Sequence, residues 1–458
     1  MKHFDIVILG AGPAGYSLAA ILANHNKKVA IIEKNNLGGT CVNAGCIPSK
    51  TLIESARLLE KINKLTNEEI QLKNLDLYYQ KTITDRLNNS EKLQNNIEIL
   101  LNNLNVKIIK GQGKLIDSNT LKVNQENIKF DKLVIATGTR PRILSIPGFE
   151  QGYKNKILID TTEALSLQEI PKNLTIIGAG VISLEMAYFY STFGTEVTIL
   201  ETADEIFSRY SNEVKQWLKN WLVKKNIKFV ESVKIEEFKD NKLITTNQKT
   251  NSQEIFETEK ILIAAGRVPN IEGLEALNLV LNKNSTIKVN EKMKTSVKNV
   301  YAIGDVNGIL GLTTSAYKHG DIVAKDILNF SKNEHFNPSL ISNSIYLDQE
   351  ISMVGLNENQ LTEKGVEFIK LTIPGNKLPR NFVEKNDLDG FLEIVINKHN
   401  FKILSATIIL KNSSLLINHL ASFIAQEKTI FDLQESNYTH PTLAEAIYYL
   451  ARNFTFKK

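Results

Sequence analysis

Cys41 and Cys46 are the only cysteines in the 458 residues. Two thiols this close can carry two electrons by opening and closing a sulfur–sulfur bond, or they can be unrelated. One such pair is not the disulfide framework of a secreted chain. In a regular helix, residues five apart rise by about 7.5 Å. A bridge needs Cα atoms within about 6.8 Å. Joining Cys41 to Cys46 therefore requires a distorted first helical turn, and Gly45 and Pro48 suit one. A helix N-terminus at this point would lower a thiol pKa and ready it as thiolate.

The elements that precede the pair explain what it could work with. Residues Phe4–Leu9 read as a buried strand, followed by Gly10-Ala11-Gly12-Pro13-Ala14-Gly15 and a helix to about Asn26. A second strand, Val29–Ile32, ends at Glu33. Gly10 permits the tight turn, Gly12 lets the backbone approach a pyrophosphate, and Gly15 lets helix and strand pack closely. The helix N-terminus offers free N–H groups to phosphates, and Glu33 can accept from a ribose diol.

The same plan recurs. Strand Leu174–Ile177 leads into Gly178-Ala179-Gly180-Val181-Ile182-Ser183, a helix to about Phe193, and strand Val197–Leu200 ending at Glu201. Both acids lie 18 residues beyond the third small residue, Gly15 or Ser183. Two matched copies predict two bound dinucleotides. An acid ending the second strand favours a free 2′-hydroxyl, and no Arg follows Glu201 before Arg209. The second site is thus expected to prefer NAD to NADP.

Composition narrows the class. The net charge of +5 is spread over scattered lysines, with no Arg-rich stripe bearing aromatics, so nucleic acid is not an expected partner. No run of 18 apolar residues predicts a membrane span. The apolar stretch Met1–Asn24 could pass for a signal peptide, but its glycines sit at a strand-to-helix turn. A cytoplasmic location is expected. Glu60–Asn103 is polar and Asn/Lys-rich, and reads as long amphipathic helices facing a core.

The segment Gly39–Lys50 resembles the active-site signature of the class I pyridine nucleotide–disulfide oxidoreductases. The resemblance continues through Ala136-Thr137-Gly138, Ala264–Asn270, Tyr301–Asp305 and His440–Glu445, in the family's order. It implies an α/β fold with two Rossmann-like domains, for FAD and NAD, and an α+β C-terminal dimerisation domain. The expected divisions are 1–145 for FAD, 146–270 for NAD, 271–335 completing the FAD domain, and 336–458 for the interface.

Residue by residue, the resemblance assigns Gly10, Gly12, Gly15, Glu33, Thr40, Lys50, Gly113, Thr137, Gly138 and Asp305 to FAD. It assigns Gly178, Gly180, Ser183, Glu201, Gly266 and Arg267 to NAD. Cys46 matches the flavin-proximal thiol and Cys41 the interchange thiol. Lys50 would pair with Glu185. His440 matches the catalytic base and Glu445 its orienting partner, a role that suits imidazole's near-neutral pKa. In relatives this His serves the cysteines of the other subunit, so a homodimer is implied. No metal is implied.

Within the family the resemblance is nearest to the dihydrolipoamide dehydrogenases. It implies oxidation of dihydrolipoamide on a lipoyl-bearing acyltransferase of a 2-oxo acid dehydrogenase complex, with hydride passed to NAD+. Alternatives are a reductase of another disulfide or a metal ion, and a flavoprotein that mainly binds a partner. The departures are Tyr438, Leu312–Ala316, Tyr346–Glu350 and Lys411–Leu415. They bear on the substrate channel and the dimer surface, not on the redox core.

Overall fold

The computed structural model describes residues 2–65, 74–205, 207, 210–330 and 335–455. Arg209 and part of the Glu60–Asn103 stretch lie outside them. Strand β1 (Lys2–Leu9) runs parallel between β2 (Val29–Glu33) and the strand Glu126–Ile135. Strand β3 (Lys107–Lys110) flanks β2, and Val300–Ala302 joins the other side, parallel to Glu126–Ile135. Crossover helix α1 (Pro13–Asn24) stops two residues before the expected end. Asn26 takes a left-handed φ of 57°, which a right-handed helix cannot continue. Asn299, at φ 63°, likewise stands just before the strand Val300–Ala302 rather than in it.

The second unit repeats the arrangement. Its parallel sheet runs Lys228–Val230, Glu196–Leu200, Asn173–Ile177, Lys260–Ile263, Leu158–Ile159. The glycine-turn strand is central and the acid-bearing strand lies beside it, as in the first sheet. A purely parallel sheet is buried on both faces, which accounts for its Ile/Val/Leu-rich strands. The chain enters and leaves this unit along one ribbon, in which Thr139–Pro141 pairs antiparallel with Arg267–Pro269.

Three helices place the cysteines. Helix α2 (Gly39–Asn43) carries Cys41, and α3 (Cys46–Leu65) opens at Cys46. Ala44 breaks the run with φ −148°, so the distortion between the cysteines is a complete helix end. Helix α4 (Leu75–Asn103) buries Tyr79, Ile83, Ile97 and Leu101 against the core rather than in a coiled coil. The α3 residues Leu52, Ile53 and Ala56 share one cluster with Tyr188, Phe189 and Tyr190 of the helix Val181–Thr192. That packing locks the cysteine helix to the second unit. Truncating a fully buried side chain such as Leu52 to Ala costs about 2–5 kcal/mol in settings of this kind.

The C-terminal part is an antiparallel five-stranded sheet, ordered Asn343–Ile345, Glu350–Gly355, Ile403–Leu410, Phe391–Asn397, Phe368–Pro374. Helices Ser413–Ala425 and Glu445–Thr455 cover it. No described helix is long and apolar enough to cross a membrane.

Candidate active site

The two glycine turns are built alike. Gly10 has φ +101° and Gly178 φ +100°, conformations that side chains rarely adopt. Gly12 and Gly180 are the N-caps of their helices, and neither helix has a side-chain cap. Their first N–H groups are thus left for a ligand. Glu33 accepts from Ala11 N–H at 2.8 Å and from Asn35 N–H at 2.8 Å. Glu201 accepts from Ala179 N–H at 2.8 Å and from Ala203 N–H at 2.9 Å. Glu33 keeps two of its roughly four acceptor positions for a diol, and Glu201, which also accepts from Thr202 Oγ1 at 3.3 Å, keeps one.

Around the first turn, a Cβ on Gly39 would come within 2.7 Å of Gly12 Cα, so α2 lies directly against the turn. Gly113 backs onto Leu9 at the end of β1. Thr137 donates to Asn270 O at 2.6 Å, while Asn270 donates back to Thr137 O at 2.8 Å. Gly138, at φ +65°, has open space where a side chain would lie. Asp305, in the 3-10 turn Gly304–Asn307, accepts from Thr139 Oγ1 at 3.2 Å. Burial raises its carboxyl, opposed by Arg267. Arg267 itself donates to Thr139 through Nε at 2.8 Å and reaches Thr40 Oγ1 at 3.5 Å. Gly266 is tied to Arg142 N–H at 3.1 Å. Arg267 and Gly266 thus stand on the ribbon, with Arg267 turned toward the first site.

Cys41 and Cys46 are free thiols in this structure. They are unlike. A hydrogen bond from Cys41 stabilises the Cys46 thiolate and lowers its pKa, helped by Thr313 and Lys50. The same bond, with burial, raises Cys41. Cys46 Sγ lies 3.7 Å from Thr313 Oγ1, at the start of the helix Thr313–Leu328. Lys50 Nζ makes two 2.8 Å contacts with Glu185, which is 3% exposed. Tyr346 completes this group: its N–H donates to Glu185 at 3.2 Å, and its ring lies 4.5 Å from Lys50 Nζ.

His440 Nδ1 is 2.9 Å from Glu445 Oε1. Burial pushes Glu445 up, but donors from Thr442 N–H, His440 and Tyr449 outweigh it and hold the carboxyl below its usual range. The His440 side chain is 68% exposed. Among the described residues of one chain, no hydrogen bond or ion pair joins it to either cysteine. The expectation that the departures at Leu312–Ala316 and Tyr346–Glu350 spare the redox core fails here, since the fold brings Thr313 against Cys46 and Tyr346 against Lys50; the sequence assigns no role to Asn270 or Tyr449. Tyr449 sits four residues beyond Glu445, a helical spacing that could have drawn notice.

Residues 4–320 match the family described as pyridine nucleotide-disulphide oxidoreductase, and residues 341–451 match that family's dimerisation domain. The chain belongs to the pyridine nucleotide-disulphide oxidoreductases. Family members use FAD and NAD, and this chain is an oxidoreductase of the same kind. It is 31% identical over 446 residues to the dihydrolipoyl dehydrogenase of Mycoplasma pneumoniae, covering 97% of both chains. It is 33% identical over 449 residues to that of Geobacillus stearothermophilus, covering 96% of this chain and 94% of the relative. Among solved structures it resembles the HOCl-induced flavoprotein disulfide reductase RclA from Escherichia coli, with TM-score 0.87 and 27% identity. That likeness covers 99% of this chain and 100% of the other. The uncapped helix starts, the glycine cradle at Gly12 and Gly39, and the partly used glutamates fit the two dinucleotides that the family carries.

Proposed function

We propose that the protein is an NAD-linked dihydrolipoyl dehydrogenase. The observation that carries this reading is the position of two unlike thiols, across a helix break, beside the first glycine turn. Gly10, Gly12, Gly15, Glu33, Thr40, Gly113, Thr137, Gly138 and Asp305 hold FAD, with Lys50 beside them. Gly178, Gly180, Ser183 and Glu201 hold NAD. Arg267 and Gly266 brace the ribbon between the two. Bound there, FAD supplies the two-electron link between Cys46 and the nicotinamide.

The chain's own residues do the rest. His440 takes a proton from the substrate dithiol, and Glu445 holds the ring in one tautomer and offsets the imidazolium charge. The new thiolate attacks Cys41 Sγ of the Cys41–Cys46 disulfide and releases Cys46 as thiolate. The second substrate thiol then displaces Cys41, giving the cyclic disulfide product. The environment lowers Cys46 and raises Cys41, which suits Cys46 as leaving group and Cys41 as the proton-carrying partner. Lys50, gripped by Glu185, couples α3 to the NAD helix. His440 works on the cysteines of a second subunit, which its exposure and lack of an in-chain thiol partner support. A homodimer follows, as does the division at 1–145, 146–270, 271–335 and 336–458. A lipoyl-bearing acyltransferase is the partner, and the cytoplasm the location.

A second reading is a reductase of another disulfide or of a metal ion. The departure at Tyr438 favours it: its hydroxyl lies 3.0 Å from His419 Nε2, in the interface half of the chain. One assay separates the two. NAD+ reduction driven by dihydrolipoamide is expected, with NADH-driven reduction of glutathione disulfide at background. Absence of lipoamide turnover in both directions would sink the first reading.

A further inference from the structure

Arg86 is an odd residue to find on α4. It is 5% exposed, and among the described residues it forms no ion pair with any carboxylate. Its Nε is buried without a hydrogen-bond partner. Burying a guanidinium without a counter-charge is unfavourable, which gives weight to the hydrogen bond it does form. Its Nη2 donates to Asn43 O at 2.8 Å. That carbonyl belongs to the last residue of α2, between the two cysteines in sequence.

Two more residues on the same face of α4 act on the same place. Ser90 Oγ donates to Val42 O at 2.8 Å, and Gln94 Nε2 donates to Asn43 Oδ1 at 2.7 Å. Positions 86, 90 and 94 are four apart and form one helical stripe. Asn43 passes the restraint on, donating from Nδ2 to Leu37 O and Gly39 O, each at 2.9 Å. The last carbonyls of a helix have no partner within it, and a cation is favourable there. Three side chains of one helix thus hold the stretch that joins Cys41 to Cys46.

We propose that Arg86, Ser90 and Gln94 are positioning residues that hold the Val42–Asn43 backbone so that the two sulfurs stay within bonding reach, which drives the couple toward disulfide. The proposal rests on reading Cys41 and Cys46 as the redox pair. On oxidation the two thiols lose two protons and two electrons and gain one S–S bond. In a dithiothreitol buffer the electrons and protons go to the cyclic disulfide of the reagent, which opens to the dithiol. A freed loop would let the reduced cysteines drift apart, so closing the bond would carry an added entropy cost.

The holoenzyme is equilibrated anaerobically across dithiothreitol buffers of different ratio, and free thiols are trapped by alkylation and counted by mass. With no other cysteine in the chain, the count reads this couple alone. Arg86→Met is expected to shift the equilibrium about tenfold toward dithiol, ~30 mV for a two-electron couple. Ser90→Ala should shift it in the same direction by less, and Arg86→Lys should keep most of the wild-type value. If Arg86→Met does not fold, the Ser90→Ala shift decides. Thermal unfolding is followed alongside. Lower thermal stability with the couple unmoved would mean a merely structural role and overturn the proposal. So would a shift toward disulfide, which would mean that the Arg86 charge had been stabilising thiolates. A wild type that keeps two free thiols in every buffer would overturn the redox reading itself, and this proposal with it.

Discussion

The two dinucleotide turns share a strand order, a spacing and an acid, but one is roofed and the other is open. At the first, α2 lies on the turn, with a Gly39 Cβ position only 2.7 Å from Gly12 Cα. At the second, a Cβ on Gly180 would meet nothing within 4 Å. The third small residue differs to match. A Cβ on Gly15 would come within 1.9 Å of Gly10 O, whereas the second turn accommodates Ser183, fully buried. A turn covered by another segment suits a ligand that stays, and an open one suits a ligand that comes and goes. The roof of the first turn is also the helix of Cys41, so the thiols and the resident cofactor are positioned by one contact.

The harshest test of this contrast is Gly15→Ala. The added methyl collides with backbone that cannot move aside, and we expect a loss of about 3 kcal/mol or more. The purified variant should lack flavin absorbance while the second unit still binds NADH. A fully yellow Gly15→Ala protein would break the contrast.

Acid should also strike the first site first. His319 accepts from Gly304 N–H at 3.2 Å and so pins the turn that carries Asp305. Burial lowers its pKa to about 4, from an ordinary value of about 6.5. Between those values the unfolded chain binds a proton that the fold does not. Stability is therefore intact above pH ~6.5, falls as pH drops below it, and levels off near pH 4, by roughly 3 kcal/mol in all. Burial raises Asp305 and offsets part of that loss. Flavin release followed by fluorescence should accelerate across this window, and His319→Asn should flatten the dependence. A release rate that ignores pH from 7 to 4 would contradict the assignment.

At the open turn the effects are smaller. Glu201→Gln should raise the KM for NADH about tenfold, the worth of one charge-assisted hydrogen bond, and narrow the preference over NADPH. Steady-state kinetics with both nucleotides measures this, and an unchanged ratio would argue against Glu201 as the ribose ligand. Ser183→Ala should act oppositely to Gly15→Ala. Ser183 Oγ is buried without a partner, so its removal should stabilise the protein by about 1 kcal/mol, seen as a raised Tm.

Much of this was readable from residue order because glycine turns and acid-ended strands are local signals. Gly10 and Gly178 need a positive φ, and that requirement marks both turns in the sequence. The break between the cysteines was legible from Gly45 and Pro48, residues that disfavour one unbroken helix, although the break itself falls at Ala44. The Lys50–Glu185 pair, 135 residues apart, was reached through family resemblance, not spacing. What escaped notice comes from distant segments meeting. Arg86 looks like an ordinary helix residue until α4 is laid across α2. Arg267 stands in a motif beside the second unit, yet its side chain turns to Thr139 and Thr40. Thr313 lies in a stretch that departs from the family pattern, 267 residues from Cys46, and only the fold brings the two together.

The paired ribbon of Thr139–Pro141 and Arg267–Pro269 has a consequence for how such a chain can change. Both ends of the intervening stretch leave the molecule side by side, a strand's width of about 4.8 Å apart. The whole stretch can therefore be exchanged as a cassette, with two adjacent junctions to heal. Swapping coenzyme preference between relatives would then require exchanging a single contiguous block of sequence, provided the incoming block keeps Glu185 for Lys50 and the Tyr188–Tyr190 face that packs on α3.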